Sequence, residues 1–126
     1  MTFVELRSGE LRTKDIESGA IIFCAKAGEY GSAIEFGQAC AFLKDTECPV
    51  DFLIEPWANK DYQAEEISEE EFWERCILSE YLESNTDAKR KSIRKAIRFW
   101  DEWNNSFHAI ELKNGNFCGI AWWTTA

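Results

Sequence analysis

Phe107-His108-Ala109-Ile110-Glu111-Leu112-Lys113-Asn114-Gly115-Asn116-Phe117-Cys118-Gly119-Ile120-Ala121-Trp122-Trp123 is the stretch whose reading decides the fold class. Asn114-Gly115 is the dipeptide that best accepts the two positive φ angles of a type I′ turn, and strand-forming residues flank it on both sides. The expected product is an antiparallel hairpin with a two-residue loop. In that register Leu112 faces Phe117, Ile110 faces Gly119 and Phe107 faces Trp122. Adjacent Trp122 and Trp123 must then point to opposite faces of their strand.

Working outward from the hairpin, Asp87 to Asn104 reads as a helix. Ile93, Ala96, Ile97, Trp100 and Trp103 recur on one stripe, while Arg90, Lys91, Arg94, Lys95 and Arg98 occupy the other side. Ile67 to Leu82 reads as the helix before it. Ser68 with Glu71 forms a capping box, and Ile67 with Phe72 fits a hydrophobic staple. Trp73, Ile77 and Tyr81 recur at four-residue spacing behind them. The short link through Thr86 favours an antiparallel helix pair. Trp57 to Glu66 is a polar loop leading into the first of these helices.

In the first half, Thr2 to Arg7 alternates as a strand, and Ser8-Gly9 turns towards a short second strand near Glu10 to Thr13. Ala20 to Ala25 is a continuous apolar run, as in a strand covered on both faces. Ser32-Ala33-Ile34-Glu35 caps a helix to about Lys44, with Ala33, Phe36, Cys40 and Leu43 inward. Gly37 weakens that helix by roughly 1 kcal/mol relative to Ala. Val50 to Glu55 alternates as another strand, stopped by Pro56. Strand, helix and strand from Ala20 to Glu55 fit either a right-handed crossover or an antiparallel arrangement. Together these elements predict one α+β domain over residues 1–126. Its sheet is mixed or antiparallel, of about five strands, with three helices and a C-terminal β-hairpin.

Composition narrows the functional classes. A formal charge of −9 argues against non-specific binding to nucleic acid or to an anionic membrane. The N-terminus lacks a basic region and a long apolar run, so no signal peptide is expected, and no segment approaches the ~20 apolar residues of a membrane span. Five cysteines without a CxxC pair, beside a single histidine, give no zinc-site spacing. Reduced thiols in a cytoplasmic protein are the expectation. No phosphate loop, dinucleotide fingerprint, EF-hand or nucleophile elbow is present, so no cofactor, metal or catalytic residue is assigned. His108 shares a strand face with Ile110 and Leu112, which suits a structural histidine better than an acid–base one. The basic stripe lacks the interleaved surface aromatics of a nucleic-acid face and reads as a solvated surface.

Charge is unevenly placed. Residues 61–84 hold nine acidic groups against Arg75 alone, so nearly all the net charge falls in one loop and helix. Glu69, Glu70 and Glu71 complement the helix N-terminus, and other carboxylates can pair with the basic stripe that follows. The candidate partner-binding surface is Trp57, Asp61, Tyr62, Glu65, Glu66, Glu69 and Glu70. Such a surface steers a cationic partner towards encounter.

In overall character the chain resembles the small immunity proteins that bacteria encode beside polymorphic or contact-dependent toxins. The Asp61 to Glu74 segment and Trp57 carry that resemblance, together with the acidity and the abundant Trp and Tyr. It implies a cytoplasmic protein that binds a cognate toxin, basic and of the nuclease type, and blocks its active site or substrate groove. Two other classes fit the same residues: a phage- or host-encoded regulatory inhibitor or nucleic-acid mimic, and a small enzyme whose site is assembled from residues distant in sequence. A deep pocket with His108 or a perturbed cysteine or carboxylate distinguishes the enzyme.

Overall fold

A computed structural model describes residues 1–7, 18–47, 57, 63–76 and 78–124. The expected strands near Glu10 to Thr13 and Val50 to Glu55 lie outside the described residues, as do Asp61 and Tyr62. Six antiparallel strands form one sheet: β1 (Thr2–Arg7), β2 (Ser18–Ala25), β3 (Glu65–Ile67), β4 (Ile93–Glu102), β5 (Asn105–Leu112) and β6 (Phe117–Thr124). Their order across the sheet is β1-β2-β6-β5-β4-β3. Helix α1 (Ala33–Glu47) packs against β4, β5 and β6, and the short helices α2 (Glu69–Arg75) and α3 (Ser79–Asn85) bury their apolar residues with the opposite face. The α+β class and the C-terminal hairpin match the expectation, with six antiparallel strands where about five were expected.

Burial on both faces follows from alternation. Along β2, Ile21 and Phe23 enter an aromatic core with Phe36, Phe99, Trp100 and Phe107. Ala20 and Ile22 enter an aliphatic core with Ile67, Leu82, Ile110 and Leu112. Ala20 to Ala25 is thus covered on both sides. Helix α1 begins at its predicted cap, where the Glu35 amide donates to Ser32 Oγ at 3.2 Å and Glu35 Oε2 accepts from the Gly31 amide at 2.9 Å. Gly37 has a packing reason: a Cβ there would stand 2.2 Å from Phe99 Cζ, so the helix gains its close approach through the missing side chain.

Three expectations are corrected. The segment Asp87 to Asn104 is not a helix, because residues 93–102 form the longest strand of the sheet. Two register shifts, between Ile93 and Lys95 and between Arg98 and Trp100, interrupt its pairing with β5. Each bulge inserts a residue and changes the phase of alternation. Ile93 and Ala96 therefore fall on the aliphatic side, and Ile97, Phe99 and Trp100 on the aromatic side. The resulting spacing of 93, 96, 97 and 100 imitates a helical stripe. No antiparallel helix pair forms there.

The second correction concerns Ile67 to Leu82, which is two helices separated at Cys76. Cys76 is extended (φ −78°, ψ 103°), although no Gly or Pro marks the break. Restarting the chain there places Leu78 and Leu82 in the same core as Phe72 and Trp73.

The third is the hairpin register. Glu111 pairs with Phe117, Ile110 with Cys118 and Phe107 with Ala121, one residue away from the two-residue-turn alignment. The Gly115 amide donates to the Leu112 carbonyl at 2.8 Å and the Leu112 amide to the Asn116 carbonyl at 2.8 Å, which closes a three-residue loop. Gly115 alone in that loop takes a positive φ, 92°. This is the arrangement of a turn followed by a left-handed residue, the next most common hairpin after the two-residue types.

Candidate functional site

The acidic segment lies at the β3 edge of the sheet and on α2. Ser68 caps α2 as expected, its Oγ accepting from the Glu71 amide at 3.0 Å. The Glu71 carboxylate does not return to the cap. It binds Arg98 of β4 at 3.2 Å, while Glu65 of β3 takes the other guanidinium nitrogen at 2.8 Å. Arg98 thereby ties strand β3 and helix α2 to the sheet. The hydrogen bond to Glu65, above all, raises its already high pKa. Glu69 also turns inward, accepting from the Lys91 amide and from Trp73 Nε1 at 3.4 Å. Its place is structural, since Lys91 needs support for a positive φ of 72°.

Other members of the basic stripe also meet acids. Arg90 pairs with Glu83 at 3.3 Å and lies 5.3 Å from the Trp73 ring centroid. Arg94 pairs with Glu111 at 3.9 Å. The three arginines of the stripe are thus each paired with this chain's own carboxylates.

Glu66, Glu70, Glu74 and Glu80 remain exposed with no ion pair or hydrogen bond among the described residues. Glu70 and Glu74, four apart on α2, share one helical face. Strand alternation turns Glu66 to the sheet face opposite Glu65 and Ile67. The structure therefore separates the predicted set: Glu70 faces solvent, Glu65 and Glu69 are bound to other residues of this chain (Glu65 while still exposed), and Glu66 stands across the edge strand.

Two tryptophans exchange their expected places. Trp57, predicted for the surface, is 5% exposed. It stacks on Phe107 at 5.3 Å and meets Trp100 edge-on at 5.4 Å. Its amide donates to Asp45 Oδ1 at 2.8 Å, and Lys44 Nζ lies 4.9 Å from its ring centroid. Trp103, predicted for a buried stripe, is 76% exposed at the turn between β4 and β5. Arg75, the last residue of α2, reaches Asp101 at 3.8 Å, two residues before Trp103. That contact ties the C-terminal end of α2, next to Glu74, to the end of β4 that leads into Trp103, while Glu69 at the other end of the helix meets Lys91 before β4 begins. Sequence reasoning missed Glu74, Arg98 and Trp103 as site residues. Phe99 gave no warning either, because Ala96, Phe99, Trp100 and Trp103 also recur at the i, i+3, i+4, i+7 spacing of a helical stripe.

His108 is 3% exposed, on the aliphatic face with its ring 5.9 Å from Phe72. Burial first, with Arg98 and Arg75 adding to it against Asp101 and Glu71, lowers its pKa from 6.5 to about 4. It is a neutral core histidine near pH 7, and Nε2 has no hydrogen-bond partner among the described residues. Among the described residues, no group of three or more His, Cys, Asp and Glu is suited to a metal ion, and no helix is long and apolar enough to cross a membrane.

The arrangement defines an α+β domain with exposed carboxylates on α2 and an exposed tryptophan at the β4–β5 turn. In comparisons with known proteins, no family model, curated protein or solved structure matches the chain.

Proposed function

We propose that this protein is a cytoplasmic inhibitor of the immunity type, which binds a cognate basic toxin domain of the nuclease class and blocks its active site or substrate groove. The observation that carries the reading is that Glu70 and Glu74 stay exposed and, among the described residues, unpaired on α2, whose last residue, Arg75, reaches the strand that ends at the exposed Trp103. Carboxylates left over after internal pairing project a field that draws a cationic partner, and nuclease domains carry positive grooves for phosphate. An exposed indole supplies what charge does not: a large apolar anchor that desolvates at the centre of an interface. Trp103 takes the role first given to Trp57.

Tagged protein captures its partner from lysate of its own host at low salt, and the captured protein is assayed on DNA and RNA. The expected result is one basic partner whose nuclease activity is suppressed at equimolar inhibitor. Cleavage unchanged by a stoichiometric excess, or the absence of any basic nuclease in the capture, contradicts the reading.

A further inference from the structure

At the opposite side of the sheet from the acidic edge, the β2–β6 register sets Cys24 directly across from Cys118. Both side chains turn to the aliphatic face. Directly opposed residues of antiparallel strands have Cα atoms about 4.5–5.5 Å apart, inside the range of about 4.4–6.8 Å that a disulfide spans. The two thiols differ in access. Cys118 is 3% exposed, whereas Cys24 is half-buried. Both border a cleft of about 320 Å³ whose wall includes Thr2, Lys26, Thr86 and Asp87.

We propose that Cys24 and Cys118 form a peroxide-reactive dithiol, in which Cys24 attacks a hydroperoxide entering the cleft and Cys118 closes an intramolecular disulfide. This site is independent of the docking edge. In the first step Cys24 Sγ, as thiolate, attacks one peroxide oxygen. The S–O bond forms, the O–O bond breaks, and the departing hydroxide or alkoxide takes up the proton that the Cys24 thiol released. In the second step Cys118 Sγ attacks Cys24 Sγ. The S–S bond forms, the S–O bond breaks, and hydroxide leaves with the Cys118 proton as water. Two thiols lose two electrons and two protons, and the peroxide receives both.

The surroundings favour this division of labour. A hydrogen bond from Cys118 lowers the Cys24 pKa to about 7, against burial and the Asp87 carboxylate, which oppose it. Donating that bond, together with burial, raises the Cys118 thiol and keeps it protonated until it is needed. The thiolate is the nucleophile in such chemistry, so a thiol near neutrality in an open cleft reacts before buried ones. The other described cysteines are poor competitors: burial raises Cys40 well above its ordinary value and Cys76 to about 12.

The test treats native protein with a small molar excess of hydrogen peroxide, then denatures and alkylates it with N-ethylmaleimide. All five cysteines alkylate in the reduced chain. The expected result is a fall from five adducts to three, reversed by dithiothreitol, with one bridged peptide joining Cys24 to Cys118. Cys24→Ser abolishes the change, and Cys118→Ser leaves a sulfenic acid at Cys24 that dimedone labels. Retention of all five adducts, or a bridge between any other pair, overturns the proposal. The bridge mapping uses wild-type protein and stands even where a variant fails to fold.

Discussion

Phe107 and His108 are neighbours in β5, yet they enter opposite faces of the sheet and opposite kinds of core. Phe107 meets Phe23 at 6.3 Å, Trp57 at 5.3 Å, Phe99 at 5.0 Å and Trp100 at 5.4 Å between ring centroids. His108 meets Phe72 and pairs across the strand with Arg98, which holds two carboxylates. One face is a nearly charge-free aromatic layer beneath a fifteen-residue helix. The other is closed by two seven-residue helices and fastened at its margin by ion pairs. Helices that short do not hold in isolation, so their position depends on tertiary contacts such as Arg98. The aromatic face is built almost wholly of uncharged rings, with Lys44 and Asp45 as its charged contacts at Trp57. The ion-paired face is where charge is arranged, and its stability is conditional on pH.

The largest expected effect breaks the aromatic side. Phe107→Ala removes a fully buried ring with four aromatic neighbours and is expected to cost about 3–5 kcal/mol in denaturant unfolding. A loss under about 1 kcal/mol contradicts the packing described for this layer.

The next effect sharpens the contrast, because it appears only on the other face. His108 has a folded pKa of about 4 against 6.5 unperturbed, so between these values the unfolded chain binds more protons. Stability is therefore fully present above about pH 6.5 and falls as the pH drops through the window towards 4. The loss from this group approaches roughly 3 kcal/mol below the folded pKa. Thermal or urea unfolding of wild type and His108→Leu at pH 7, 6, 5 and 4.5 measures it. The variant is expected to lose the slope between pH 6.5 and 4.5, and parallel slopes contradict the buried neutral histidine.

The same contrast explains what was legible in the sequence. The Ala20 to Ala25 run, the Ser32 cap and the Asn114-Gly115 turn carry local signals whose physics is local, and each led to the right element. The β4 strand did not, because its two bulges come from pairing with β5, a partner about ten residues away in the chain. The hairpin register slipped because Asn114-Gly115 serves a three-residue loop as well as a two-residue one, and Gly115 is needed in both. Charge asymmetry marked the acidic segment, but composition cannot tell a carboxylate held by Arg98 from one facing solvent. Glu65 and Glu71 are held, while Glu70 and Glu74 face solvent. Trp57 and Trp103 exchanged places for the same reason: burial is settled by contacts such as Asp45 with the Trp57 amide, which no periodicity records.

The smallest expected change in stability belongs to the exposed carboxylates, and they give the most direct test of the docking surface. Glu70→Lys with Glu74→Lys, which spares the structural Glu65, Glu69 and Glu71, is expected to alter folding stability by no more than about 0.5 kcal/mol. Stopped-flow association with the captured basic partner, at several salt concentrations, is the measurement to make. The predicted result is an on-rate lowered about tenfold at low salt, with a flatter salt dependence, in a protein as stable as wild type. An on-rate and a salt slope identical to wild type contradict the acidic edge as the docking face.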